Sequence, residues 1–188
     1  EKAITPKTKA IIPVHLFGLA ANMDEVMALA EKHNLYVIED NAQGIGATYT
    51  SKTGQKKMTG GIGHVGSTSF FPSKNLGCYG DGGAICTNSD ELAAKMRMIA
   101  NHGQSQRYVH TRVGDCGRMD TIQCAIVLAQ LERFKWEIEQ RIHSGERYNS
   151  LIDAAGVSRA HQRPDRTIVF AQYTVFVPDR SELQNRLK

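Results

Sequence analysis

The chain has 188 residues, a formal net charge of +4, 41% hydrophobic and 22% charged residues, the balance of an ordinary globular protein. No apolar run approaches the length of a membrane span and no basic-then-apolar leader is visible, so the expected compartment is the cytoplasm, without a membrane partner. The small positive excess lacks the dense basic patch with interleaved aromatics that nucleic-acid binding uses, so no nucleic-acid partner is expected.

In chain order, Ala10 to Leu16 reads as a buried strand. Met23 to His33 has helical spacing, with Met23, Val26, Met27 and Ala30 on one face, Asn22 as N-cap and Glu25 three residues on. Leu35 to Glu39 is a second apolar strand. This β-α-β opening is the signature of parallel strands, whose ligands sit beyond the carboxyl ends. Ser51 to Gly63 is polar and glycine-rich, a loop or hairpin. His64 to Phe71 and Gly83 to Thr87 read as strands, and Asp90 to Ala100 as a helix. Asn101 to Gly117 is a basic loop, long enough to be functional. Met119 to Phe134 is helical. Trp136 to Leu151 continues it after a bend, and Ala154-Ala155-Gly156 ends it. Thr167 to Val177 is strand-like, closed by Pro178. Ser181 to Lys188 opens a helix capped by Asp179 or Ser181. A domain boundary is expected near residue 140, giving 1–140 and 141–188. With no initiator methionine and a final segment inside a helix, the chain reads as a piece of a longer protein.

The cysteines, Cys78, Cys86, Cys116 and Cys124, form no C-x-x-C pair, so a metal site is not expected and free thiols of a reducing compartment are. Cys86 and Cys124 lie in apolar settings and read as small core residues. Gly61-Ile62-Gly63-His64-Val65-Gly66 fits G-x-G-x-x-G, but a dinucleotide fingerprint follows a strand and opens a helix. Here a polar loop precedes it and a strand-like run follows.

The chemistry concentrates in two stretches. Lys74 sits in a short turn, Phe71-Pro72-Ser73-Lys74-Asn75-Leu76-Gly77, after an apolar run and before Gly80-Asp81-Gly82-Gly83. Asp40 lies just past a strand in Glu39-Asp40-Asn41-Ala42-Gln43-Gly44. A lone lysine in a turn is most often simply exposed. Paired with a strand-end aspartate, it matches what pyridoxal phosphate chemistry requires: an amine for a Schiff base and a carboxylate for the pyridine nitrogen. Gln43 is placed to donate to the phenolic oxygen or to pack on the ring, and Ser69 to bind the phosphate.

Together these residues resemble the DegT/DnrJ/EryC1/StrS family of sugar aminotransferases. The resemblance is carried by Pro13-Val14-His15-Leu16-Phe17-Gly18, the Glu39 to Gly44 stretch, Ser69 to Leu76, Gly80 to Ala84 and Arg118 to Ala125. It implies an α/β fold: the large domain of a fold-type-I pyridoxal-phosphate-dependent transferase, a mostly parallel sheet flanked by helices, followed by the start of a smaller α+β domain. It implies that Lys74 is catalytic and carries the cofactor, and that Asp40, Gln43 and Ser69 bind it. Arg118 and Tyr173 would contact substrate. The implied reaction is transamination of a nucleotide-linked keto sugar with an amino acid donor such as glutamate. Within the family, Phe70 to Gly83 and Ala171 to Val175 look most like enzymes acting on UDP-linked 3-keto-N-acetylglucosaminuronate, which serve bacterial surface polysaccharide such as lipopolysaccharide.

The resemblance also implies a homodimer, the Asn101 to Arg118 loop reaching the partner's cofactor. Many members have asparagine where Cys116 stands, which bears on that cross-subunit contact. The N-terminal part of the family pattern is absent, so this piece alone is expected to bind the cofactor poorly and to be inactive. Two relatives remain as alternatives: sugar dehydratases, which replace the lysine with histidine, and non-catalytic nucleotide-sugar binders. Retention of Lys74 with Asp40, Gln43 and Ser69 favours transamination.

Overall fold

The computed structural model describes residues 1–188. Its main sheet has four strands, β1 (Ala10–Ile11), β2 (Tyr36–Asp40), β5 (Val65–Ser69) and β6 (Gly83–Cys86), side by side in that order. The longer strand expected at β1 is cut short because Pro13 has no N–H to give to a ladder. The line resumes as a single bridge between Val14 and Asp40, and a tight turn follows at Leu16–Gly18 with Phe17 at φ 63°.

Helix α1, Met23–Lys32, returns the chain to β2, Tyr36–Asp40, which runs parallel to β1. Met23 and Ala30 meet Leu35, Val37, Ala20 and Tyr49 in the largest core cluster. Asn22 occupies the N-cap position, yet its side chain makes no cap bond; its Oδ1 accepts from the Tyr49 hydroxyl at 3.2 Å. The segment expected as a loop or hairpin is a hairpin, β3 (Thr48–Thr50) with β4 (Lys56–Met58). Strand β5, Val65–Ser69, lies parallel to β2, and β6, Gly83–Cys86, lies antiparallel to β5. The G-x-G-x-x-G stretch thus leads into a strand and not a helix.

Helix α2, Asp90–Ala100, starts at Ser89, whose hydroxyl accepts from Leu92 N–H. The basic loop contains a small hairpin, β7 (Gln104–Gln106) with β8 (Val109–His110). Helix α3 runs from Thr121 to Ala154 as one helix, without an interruption near Phe134. No proline or glycine interrupts residues 134–138, so the backbone ladder has no reason to break there. Beyond it, β9 (Ser158–Arg159) pairs with β10 (Val175–Phe176), and α4 is Arg180–Arg186, capped by Asp179 through Glu182 N–H.

Further sequence expectations need correction. The strand expected over 167–177 is only Val175–Phe176; upstream the chain makes isolated bridges, Tyr49 with Arg166 and Leu19 with Ile168. Phe170 at φ 45° ends the extended run. Cys86 is exposed on β6, an edge strand of the sheet, and Cys124 is only partly buried. The core cysteine is Cys78, whose Sγ lies 2.9 Å from the Phe70 carbonyl oxygen and 3.0 Å from that of Gly80. No helix is long and apolar enough to cross a membrane.

Candidate active site

Because β2 and β5 are parallel neighbours with Asp40 opposite Ser67, the ends of both strands open on the same edge of the sheet. Asp40 closes β2 and Ser69 closes β5, so the topology alone brings them to one rim. Lys74 follows five residues after Ser69 in a turn closed by Lys74 N–H to the Phe71 carbonyl at 2.9 Å and Cys78 N–H to the Phe70 carbonyl at 2.8 Å. Gly77 makes that turn possible, since a Cβ there would stand 2.7 Å from the Pro72 carbonyl oxygen. Asn75, Leu76 and Cys78 are buried beneath the turn, which anchors it and leaves Lys74 half-buried at the rim.

The turn is laid against the Gln43 loop. Asn75 is buried, with Nδ2 facing the carbonyl oxygens of Gln43 and Ile45, each at 3.5 Å. Gln43 itself is oriented by Phe17, whose N–H donates to Gln43 Oε1 at 2.7 Å. The amide nitrogen is therefore left as a free donor. Asp40 Oδ1 accepts from Ala42 N–H at 3.1 Å, and its second oxygen has no protein partner. The Lys74 amine has neither an ion pair nor a hydrogen bond. Ser69 Oγ accepts from Phe71 N–H at 3.2 Å, which leaves its own proton to give.

The rim thus carries an unpaired carboxylate oxygen, an unpaired amide donor, a free hydroxyl proton and an unpaired amine. That donor set fits pyridoxal phosphate: the carboxylate for a protonated ring nitrogen, the amide for the phenolic oxygen, the hydroxyl for phosphate and the amine for the aldehyde.

The remaining expected contacts lie further out. Arg118 is exposed at the wall of a cavity of about 840 Å³, bounded also by Ser67, Asp81, Arg97 and Met119. Lys74, Asp40 and Gln43 do not line it. Tyr173 packs on α3: its hydroxyl donates to Asn149 Oδ1 at 2.9 Å, and its ring stacks on Phe170 with centroids 5.7 Å apart. Burial raises its phenol pKa above the ordinary value. Two residues upstream, Ala171 N–H donates to the Phe17 carbonyl at 3.0 Å. Cys116 is exposed and bridges to Asn101.

Two polar residues at the rim went unnoticed as individuals in the sequence. His15 and Glu39 are both fully buried and joined at 2.8 Å. The available signal was a glutamate at a core position: alternation along β2 puts Glu39 on the same face as Leu35 and Val37. Burial alone would raise its pKa, but hydrogen bonds from His15 and from the N–H groups of Gly63, Gly60 and Ile62 outweigh this and hold it below its ordinary value.

Over its whole length the chain is 48% identical to a UDP-2-acetamido-2-deoxy-3-oxo-D-glucuronate aminotransferase of Pseudomonas aeruginosa, of which it covers 51%. It is 45% identical to a pleiotropic regulatory protein of Geobacillus stearothermophilus, again across the full chain and 50% of that protein. The chain spans about half the length of the curated relatives it matches. Among solved structures, Streptomyces venezuelae DesV, determined in complex with a ketimine intermediate, superposes with a TM-score of 0.90 at 38% identity, covering 99% of this chain and 49% of DesV. The fold is accordingly that of the fold-type-I pyridoxal-phosphate-dependent transferases, as the motifs led us to expect. The model of the DegT/DnrJ/EryC1/StrS aminotransferase family matches residues 1–188, and the chain belongs to that family.

Proposed function

We propose that the protein of which this chain is a part transfers an amino group from an amino acid such as glutamate to a nucleotide-linked keto sugar, in the cytoplasm, for surface polysaccharide synthesis. The observation that carries this is the cluster of unpaired groups at one strand edge: Lys74, Asp40, Gln43 and Ser69. Pyridoxal phosphate, when bound, supplies an aldehyde that condenses with amines and a ring that accepts electrons. Asp40 would hold a proton on the ring nitrogen through its free carboxylate oxygen. Gln43 would donate its amide N–H to the phenolic oxygen, and Ser69 its hydroxyl to the phosphate. Lys74 Nζ would hold the cofactor through its aldehyde and would be the base that carries the proton between the reacting carbons.

For the sugar, a UDP-linked 3-keto uronate is the reading supported by the Pseudomonas relative. The basic Arg118 suits a diphosphate and a carboxylate, and Tyr173 completes the substrate side from residues 141–188, which we assign to a second, smaller domain. The homodimer is part of the same reading. The exposed arm around β7 and β8, with Tyr108 76% and Val113 98% exposed, is the surface the chain would offer a partner. Cys116 then stands at the position facing the partner's phosphate.

The test is mass spectrometry of products formed by the complete protein from a panel of UDP- and dTDP-linked keto sugars with glutamate. We expect an amino sugar from a UDP-linked substrate and none from the Lys74→Ala variant. Turnover that survives Lys74→Ala overturns the assignment. Binding of nucleotide sugar without turnover in the unaltered protein would favour the regulatory reading that the Geobacillus relative's name suggests.

A further inference from the structure

Beside Asp40 lies a polar pair that the chemistry above does not use. His15 and Glu39 are each 0% exposed. His15 Nδ1 accepts from Ala21 N–H at 3.1 Å, so the ring proton sits on Nε2, which donates to Glu39 Oε2 at 2.8 Å. Gly60 N–H donates to the same oxygen at 2.8 Å, while Ile62 and Gly63 N–H donate to Oε1 at 2.7 and 2.6 Å. Glu39 thus receives four donors and is held as a carboxylate. An ionised group at a core position of a strand is an expensive way to fill space, and a well-packed apolar pair of the same volume commonly serves stability as well or better. Direction is what the polar pair adds.

That direction converges on Asp40. His15 N–H donates to the Asp40 carbonyl at 3.0 Å, and Asp40 N–H donates to the Pro13 carbonyl at 2.9 Å. The segment that carries the His15 ring therefore also grips both main-chain polar groups of Asp40. Glu39, the preceding residue on β2, is locked from the opposite face of the sheet by His15 and the Gly60–Gly63 loop. A carboxylate that must meet a ring nitrogen needs its backbone fixed to within about 0.5 Å.

We propose that His15 and Glu39 are positioning residues for Asp40: their buried hydrogen-bonded pair fixes the end of β2 so that the Asp40 carboxylate stays on the ring nitrogen of the bound cofactor. This rests on the function proposed above. The test uses the complete protein loaded with pyridoxal phosphate carrying ¹⁵N at the ring nitrogen, whose resonance separates protonated from unprotonated nitrogen. Asp40→Asn provides the reference for a lost contact. Glu39→Gln keeps the shape but turns an NH₂ toward donors, since both Glu39 oxygens are surrounded by N–H groups. His15→Leu removes the ring donor, and His15→Gln restores a donor toward Glu39 and an acceptor toward Ala21.

For Glu39→Gln and His15→Leu we expect the ¹⁵N signal to move toward the Asp40→Asn position and the cofactor's dissociation constant to rise roughly tenfold, the scale on which groups that orient a direct ligand act. His15→Gln should return both toward the unaltered protein. Folded Glu39→Gln and His15→Leu proteins with unaltered signal and affinity would overturn the proposal. Should His15→Leu not fold, Glu39→Gln against His15→Gln decides it in the same way. An unaltered protein whose ring nitrogen is unprotonated, or that binds no cofactor, defeats the proposed function and this inference with it. A protonated nitrogen that no pair variant changes defeats the inference alone.

Discussion

The main-chain N–H of Phe17 donates to the side-chain oxygen of Gln43 at 2.7 Å, and Phe17 sits at φ 63° to do so. A bulky residue in the left-handed region costs on the order of 1–2 kcal/mol and persists only where its surroundings hold it. The Phe17 carbonyl is held too, by Ala171 N–H. The strained turn therefore connects the chain beyond α3 to the Gln43 amide at the proposed cofactor site.

A split between two Gln43 variants follows. Gln43→Glu keeps an oxygen for Phe17 N–H but loses the free amide donor; Gln43→Leu loses both. Stability by urea unfolding should be nearly unchanged for Glu and lower by about 1–2 kcal/mol for Leu, the cost of leaving a donor unsatisfied. Cofactor affinity in the complete protein should fall for both. Equal stability of the two variants would show that the Phe17 bond contributes nothing.

Much of this site was legible in the sequence because its parts are local. The Lys74 turn, the strand-end Asp40 and Ser69, and the β-α-β opening are each written in adjacent residues, and the parallel connection rule then brings them to one edge. What could not be read depends on distant pairs. The Gln43 amide is oriented by a residue 26 positions away. The core position of Glu39 is tolerable only because His15 and Gly60–Gly63 fold over it. Cys86 looked like a core residue from its apolar neighbours, but β6 lies at the outer edge of the sheet in this chain. The strand expected over 167–177 failed because Phe170 turns to positive φ, a conformation the apolar pattern does not announce.

Arg166 is the main fastening of that segment. It is 7% exposed, donates through Nη1 to the Ala20 carbonyl at 2.8 Å, pairs with Asp165 through Nε and Nη2 at 2.7 Å each, and lies 5.0 Å over the Tyr49 ring. Arg166→Met should cost roughly 2–4 kcal/mol, since it strips the buried Ala20 carbonyl and leaves Asp165 alone. Arg166→Lys should recover only a minor part, because an ammonium cannot reproduce the planar fork or the stacking. Urea unfolding of the two variants checks this; full recovery by lysine would mean that charge alone matters.

Gly145 lies inside α3, where alanine would ordinarily stabilise by about 1 kcal/mol. A Cβ there would run into the Phe170 ring, whose backbone is already at positive φ. The clash should win, with Gly145→Ala destabilising by roughly 1–3 kcal/mol. In a Phe170→Ala background the same change should become neutral or stabilising. A double-mutant cycle in urea reads the coupling, and additive effects would refute the contact.

Glu39 gives the fold a pH dependence whose sign is fixed. Its carboxyl pKa is held below the ordinary 4.5 in the folded protein, against its burial, by His15 and three backbone N–H groups. The unfolded chain therefore binds the proton first as pH falls. The stabilisation is complete above the ordinary pKa and is lost as pH drops through the lowered folded value. Asp165, half-buried beside Arg166, is lowered too and acts in the same sense. The lowered carboxyls of Glu1, Glu91 and Asp153 are solvent-exposed, where ion pairs contribute little. Glu39→Gln cannot titrate, so its stability should fall less steeply than that of the unaltered protein below about pH 4.5, with the slope that remains set mainly by Asp165. At neutral pH the same variant should be less stable by about 1–3 kcal/mol, the cost of leaving buried N–H donors without an acceptor beside a neutral His15 ring. Urea midpoints measured between pH 3 and pH 7 for both proteins decide it, and parallel curves would show that the Glu39 charge is not what the His15 ring and the Gly60–Gly63 loop are holding.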